Sequence, residues 1–299
     1  PTYEIAMEQS SRKSRSVMRK PRWLYAPIES GLQYGQVART LEQEGLHTIC
    51  SSGKCPNKGH CWKHGTATFM ILGERCTRAC RFCATLSGHP LPPDPDEPAK
   101  IARSVRAMTL RHAVITSVER DDLPDLGAAH WAETIRATRA LNPESIIEVL
   151  IPDYRGEALQ TVLAAEPDIV GHNLETVERL TPSVRHRATY RNSLGVLEEI
   201  AEAGKIAKTG IMVGLGETPD EVEALLRDAR AAGCRMLTVG QYLQPTPQQL
   251  DVIEYVHPDQ FAAYKSAALA LGFDHVESGP FVRSSYMAEQ AFVEMMVRR

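Results

Sequence analysis

Six of the chain's seven cysteines fall between Cys50 and Cys83, and Cys234 stands alone. An odd number crowded into one stretch suits metal ligation better than a disulfide framework, which in a chain of 299 residues would be spread over its loops. Cys76, Cys80 and Cys83 form C-x3-C-x2-C. This spacing supplies three thiolates to an iron–sulfur cubane and leaves one iron without a protein ligand, open to a chelating small molecule. Zinc is the competing reading, but structural zinc sites prefer paired C-x2-C ligands totalling four, and no matching second pair is nearby. Cys50, Cys55 and Cys61 form a second triad, C-x4-C-x5-C. Cys234, in Ala232-Gly-Cys-Arg235 between a helix end and a strand, reads as a small buried residue.

The first triad resembles the defining motif of the radical S-adenosylmethionine superfamily, with Phe82 before the last cysteine where that family has an aromatic beside the adenine. Gly210-Ile-Met-Val-Gly-Leu-Gly-Glu217 is similar to the family's adenine-contacting strand, G-x-I-x-G-x-x-E, and implies a cofactor-binding role for Gly214 and Glu217. The resemblance implies that the open iron holds S-adenosylmethionine through its amino and carboxylate groups, so that an electron from the cluster releases a 5′-deoxyadenosyl radical. Asn173 and Glu175 stand where the superfamily places a ribose-binding polar group; either residue is also suited to capping the helix that follows. Ser117 and Glu119 are comparable candidates for the methionine moiety.

The second triad, followed by the first, narrows the resemblance to the lipoyl synthase family. It extends through Glu44-Gly-Leu-His-Thr, Cys55-Pro-Asn, Cys61-Trp, Gly65-Thr-Ala-Thr, Cys76-Thr-Arg, Arg120-Asp-Asp-Leu-Pro, His172-Asn-Leu-Glu-Thr, Tyr190-Arg-Asn-Ser-Leu, Gln241-Tyr-Leu and Arg283-Ser-Ser-Tyr286. It implies two [4Fe-4S] clusters. The auxiliary one would be held by Cys50, Cys55, Cys61 and, by position in the R-S-S-Y element, Ser285; Arg191 would join the cofactor contacts. A serine oxygen is a hard, readily protonated ligand, which suits a cluster meant to be dismantled. Without the cysteines, Ser284 and Ser285 would read as an ordinary polar turn. The implied reaction is sulfur insertion at C6 and C8 of an octanoyl-lysine, with the auxiliary cluster as donor, because no protein acid or base deprotonates an alkyl methylene. The implied partners are an octanoylated lipoyl-domain or H-type carrier protein, an electron donor such as ferredoxin or flavodoxin, and an iron–sulfur carrier that rebuilds the cluster. Gly59-His60, Glu119, Leu126 and Ala84-Thr-Leu-Ser depart from the family pattern but leave both ligand sets intact. One half of a two-protein lipoyl synthase, or another radical sulfurtransferase, stays open as an alternative.

These residues need a scaffold. After about residue 65, β-branched runs alternate with helical patterns, as in a parallel sheet built of βα units. The runs are Thr68–Leu72, Ala113–Val118, Ser145–Ile151, Asp168–Asn173, Lys208–Leu215 and Met236–Tyr242. Helices are expected near Pro98–Thr109, Ala128–Leu141, Gly156–Ala165, Thr176–Leu180, Ser193–Ala203, Pro219–Ala232 and Pro258–Leu271. Six units predict an α/β fold, a partial (β/α)6 TIM-type barrel, because the unusual residues fall just after strand ends, where barrel sites are assembled. An open doubly wound sheet is the alternative. Residues 1–65 read as an irregular N-terminal extension carrying the auxiliary cysteines, 66–275 as the barrel, and 276–299 as a C-terminal tail. The basic N-terminal stretch reads as a solvated arm. A net charge of −3 implies no nucleic-acid partner, and no apolar run has the length of a membrane span or a secretory signal, so the expected place is the cytoplasm.

Overall fold

The computed structural model describes residues 18–25, 31–64 and 66–285. The basic arm up to residue 17, Gly65, and the tail from Tyr286 onward lie outside the described residues.

Among the described residues there are ten strands: β1 (His47–Thr48), β2 (Thr68–Ile71), β3 (Arg75–Cys76), β4 (Leu86–Ser87), β5 (His112–Ser117), β6 (Ile146–Leu150), β7 (Ile169–Gly171), β8 (Ile206–Val213), β9 (Met236–Gln241) and β10 (His275–Gly279). Eight form one sheet in the order β1-β2-β5-β6-β7-β8-β9-β10. From β2 to β10 every neighbouring pair is parallel. Sequential parallel order with a helix in each long crossover is the partial TIM-type barrel expected above.

The helices are α1 (Leu32–Glu44), α2 (Ile49–Ser52), α3 (Lys58–Lys63), α4 (Glu97–Ala107), α5 (Ala128–Leu141), α6 (Gly156–Leu163), α7 (Thr181–Val184), α8 (Tyr190–Glu202), α9 (Pro219–Ala231) and α10 (Pro258–Ala270). Local chemistry sets several ends. Thr218 and Glu221 form a reciprocal capping box at the start of α9, with Pro219 in the first turn where its missing N–H is harmless. Leu126, which departs from a family glycine, sits at φ 57° just ahead of α5. A branched side chain in the left-handed region carries strain that glycine would not.

Three sequence expectations need correction. The barrel has a seventh parallel strand, β10, which crosses the expected boundary at 275/276; its polar His275-Val-Glu-Ser-Gly lacks an apolar run because it pairs only with β9. Residues 176–180 form turns, and the helix there is the short α7 that follows. The N-terminal extension is not irregular: it contains α1, α2 and α3, and β1 pairs antiparallel with β2.

The register sorts the barrel interior into layers. At the base lie Ile146, Ile169, Ile206 and Met236, packed together. Above them is a buried polar layer in which Lys208 Nζ lies 2.5 Å and His112 Nε2 3.0 Å from the two oxygens of Glu148. Burial alone would raise the Glu148 pKa, but the Lys208 charge and the His112 hydrogen bond hold it at about 2. Further up, Gly210 is the register partner of Thr238, and Gly240 that of Met212 and Gly279, so glycines at 210, 240 and 279 clear space at the barrel mouth.

Candidate functional site

That space is a cavity of about 540 Å³ at the C-terminal ends of the strands. Cys76, Cys80 and Cys83 reach it from the loop after β2. The loop is closed by β3 pairing with β4 and by the Gly88 N–H donating to the Cys76 carbonyl at 3.0 Å. Backbone N–H groups point at its sulfurs: those of Arg78 and Glu119 at Cys76, 3.4 Å each, that of Thr85 at Cys83, 3.4 Å, and that of His186 at Cys80. Such donors stabilise sulfur that carries negative charge.

Cys50 and Cys55 open on the same cavity from the other side. Cys61 lies within electrostatic reach of both, though it does not line the cavity. Burial pushes the Cys61 thiol up to about 12, with Cys50 and Cys55 adding to it, and the Cys80 thiol up to about 11. Both are therefore protonated in the metal-free chain, and metal loading must expel protons.

The residues from 281 to 285 fold across the mouth. Asn57, between Cys55 and Cys61, donates to the Phe281 carbonyl at 2.6 Å. Ser284 Oγ accepts from Asn173 Nδ2 at 2.8 Å, and Ser285 Oγ accepts from Thr68 Oγ1 at 2.8 Å. Gly210 makes this approach possible, since a Cβ there would come within 2.6 Å of Thr238 Oγ1 and 2.9 Å of Asn173 Oδ1.

Phe82, Ser117, Glu119, Asn173 and Glu175 also face the cavity. Ser117 Oγ is engaged by the indole N–H of Trp131 at 3.2 Å. Glu175 is held at φ 66° and is partly buried; its backbone bonds Gly210 and Met212 of β8. Burial raises its carboxyl pKa against the pull of Arg185 and Asn173. Burial likewise lifts Glu119 to about 7, while Arg78, 3.2 Å away, works to lower it. Arg78 is the hub that sequence reading did not single out: it also grips Asp121 bidentately at 2.8 and 2.9 Å and Asp153 at 2.6 Å. Its hydrogen bonds hold the Asp121 carboxyl at about 2. The Cys76-Thr-Arg and Arg120-Asp-Asp elements carried a signal for this cluster, but Asp153 did not.

Three expected contacts lie elsewhere. Arg191 pairs with Glu178 on the outer surface, its side chain 70% exposed, because it is on the solvent side of α8. Gly214 and Glu217 are not on the cavity wall; the Glu217 carboxylate accepts the N–H of Gly214 at 2.5 Å and of Leu215 at 3.0 Å, shaping the β8–α9 turn. Cys234 is buried in the core.

Among the described residues no three His, Cys, Asp or Glu side chains close on one point as around a single ion. Thiolates around one zinc stand about 4 Å apart, whereas a cubane spreads its ligands over separate corners. Three cysteines on one loop, ringed by N–H donors and opening on a cavity, fit the wider group.

Residues 70–229 match the family model described as the Radical SAM superfamily. The lipoyl synthase of Bacteroides fragilis strain YCH46 is 58% identical over 275 residues, 91% of this chain and 96% of that protein. The lipoyl synthase of Treponema denticola is 51% identical, over 91% of this chain and 94% of that one. Among solved structures, methylornithine synthase superposes with a TM-score of 0.55 at 11% identity, over 90% of this chain and 93% of that chain. Streptococcus suis SuiB bound to S-adenosylmethionine gives 0.54 at 10% identity, over 71% of this chain and 50% of that one. At such identities these likenesses concern the fold.

Proposed function

Because the chain belongs to the lipoyl synthase family of the radical S-adenosylmethionine superfamily, we propose that it inserts two sulfur atoms, at C6 and C8, into a lysine-linked octanoyl chain. It is a sulfurtransferase of lipoate biosynthesis that works with S-adenosylmethionine and [4Fe-4S] clusters, and its substrate is an octanoylated carrier protein. Among the described residues no helix is long and apolar enough to cross a membrane.

Cys76, Cys80 and Cys83 would hold the cluster that binds S-adenosylmethionine, and Cys50, Cys55, Cys61 and Ser285 the auxiliary one. When bound, these groups supply the radical that removes hydrogen at C6 and C8 and the sulfur that replaces it. The single observation that carries the reading is that Cys76, Cys80 and Cys83, Cys50 and Cys55, and Ser285, from segments far apart in sequence, line one cavity, with Cys61 within electrostatic reach of Cys50 and Cys55.

The chain's own residues do the rest. Phe82 would lie beside the adenine, Asn173 and Glu175 at the ribose, and Ser117 and Glu119 at the methionine group. Arg78 keeps Glu119, Asp121 and Asp153 gathered beside the Cys76 loop. Met70, Leu150 and Met212 give the wall an apolar face for an alkyl chain. The residues from 281 to 285 cover the mouth and limit water, which a reactive radical requires. An electron donor of ferredoxin or flavodoxin type and an iron–sulfur carrier follow as partners from the same chemistry.

The test is anaerobic incubation of reconstituted protein with dithionite, S-adenosylmethionine and an octanoyl-lysyl peptide, followed by mass spectrometry of the peptide. Two added sulfurs are expected. Cleavage of S-adenosylmethionine with no sulfur gained would refute the reading, and a single sulfur would assign the chain to one half of a two-protein synthase.

A further inference from the structure

Arg283 is anomalous for a charged residue. It lines the cavity beside Cys55 and Ser285 and is partly buried there. Its Nη1 donates at 2.6 Å to the carbonyl of its own neighbour, Val282. Among the described residues no carboxylate pairs with it, and the charge partner within reach is Cys55. The arrangement is built in: a Cβ on Gly240 would come within 2.2 Å of the Val282 oxygen and 3.2 Å of Arg283 Nη1, so β9 has a glycine where the guanidinium lies. A partly buried cation without an anion is disfavoured, and among the described residues this guanidinium has one of its five donors engaged.

We propose that Arg283 is a positioning residue whose guanidinium is the counter-charge of the auxiliary cluster, facing it across Cys55. This rests on the assignment of that cluster to Cys50, Cys55, Cys61 and Ser285. A cluster held by three thiolates and a serine oxygen carries net negative charge, and N–H donors aimed at its sulfurs stabilise the more reduced form. Arg283 thereby sets the potential of the auxiliary cluster and keeps its sulfur-bearing state intact, without touching S-adenosylmethionine.

The experiment uses the full-length chain with Cys76, Cys80 and Cys83 replaced by alanine, so that only the auxiliary cluster contributes to iron content and to a potentiometric titration followed by electron paramagnetic resonance. In this background Arg283→Gln should move the potential to a more negative value or lose auxiliary iron, and Arg283→Lys, which keeps the charge, should lie between it and the parent. In the chain with all six cysteines, S-adenosylmethionine affinity should stay within about twofold for both variants. An unchanged potential with full iron in Arg283→Gln, a Lys variant no better than Gln, or an affinity loss beyond about tenfold would each overturn the proposal. If the triple-alanine parent binds no cluster at all, the assignment of the auxiliary cysteines fails instead.

Discussion

Two adjacent serines at the cavity mouth do different things. Ser284 accepts from Asn173, on the side assigned to S-adenosylmethionine, whereas Ser285 accepts from Thr68, the first residue of β2. Ser285→Ala should retain both clusters, because three thiolates remain. Sulfur insertion into an octanoyl-lysyl peptide should nevertheless fall by roughly tenfold or more, the scale of altered support at a metal site, with 5′-deoxyadenosine formation little changed. Equal loss of both activities would contradict the assignment. The sequence pointed to Ser285 only through the R-S-S-Y element. Nothing in its local spacing distinguishes it from Ser284, although in the folded chain the two hydroxyls meet different neighbours. The same lesson applies to Arg191, which a motif placed at the cofactor and a helix face places in solvent. His172 shows the reverse case: it is buried below the site, its Nε2 2.9 Å from Ser193 Oγ, and burial holds its pKa at about 4.

At the scale of elements, a buried charged layer inside the barrel is shared by β5, β6 and β8. Glu148 ionises in the folded chain well below its usual range, at about 2. A folded pKa below the unfolded value means this stabilisation is complete above about pH 4.5 and is lost as pH falls toward 2. Lys208→Met removes the main charge that holds Glu148 ionised and leaves a buried carboxylate with only His112 beside it. The expected cost is about 3–5 kcal/mol, read by denaturant unfolding at neutral pH, with the acid limb of the stability profile moved to higher pH. A Met variant as stable as the parent, with an unmoved acid limb, would show that this layer is not coupled to folding. The repeating βα pattern made most strands legible, because fully buried parallel strands read as apolar runs. The edge strand β10 escaped because it has a single neighbour and polar inward positions, and the short α7 because four residues carry no usable period.

For the whole molecule, the segment that carries Cys55 and Cys61 and the segment 281–285 meet at the cavity, and Asn57 ties them by donating to the Phe281 carbonyl. Asn57→Ala leaves that partly buried carbonyl unpaired and should cost about 1–3 kcal/mol in thermal unfolding. It should also lower auxiliary iron before it lowers iron at the Cys76 loop, as measured by iron content of variants with each triad intact in turn. Loss from both sites equally would mean the tie serves the fold rather than one site. By itself the sequence determined the fold class, the two cysteine sets and the family, because each is written in local spacing: periods of two and of 3.6, and intervals between ligands. Only the tertiary structure decided that Cys50 and Cys55 open on the same space as the Cys76 loop, that Arg78 binds carboxylates from two different loops, and that Arg283 lines that space beside Cys55. Those are contacts between segments up to more than two hundred residues apart. Their geometry is set by strand register, by the bare inward positions at Gly210 and Gly240, and by the path of the closing segment, none of which leaves a period or an interval in the chain.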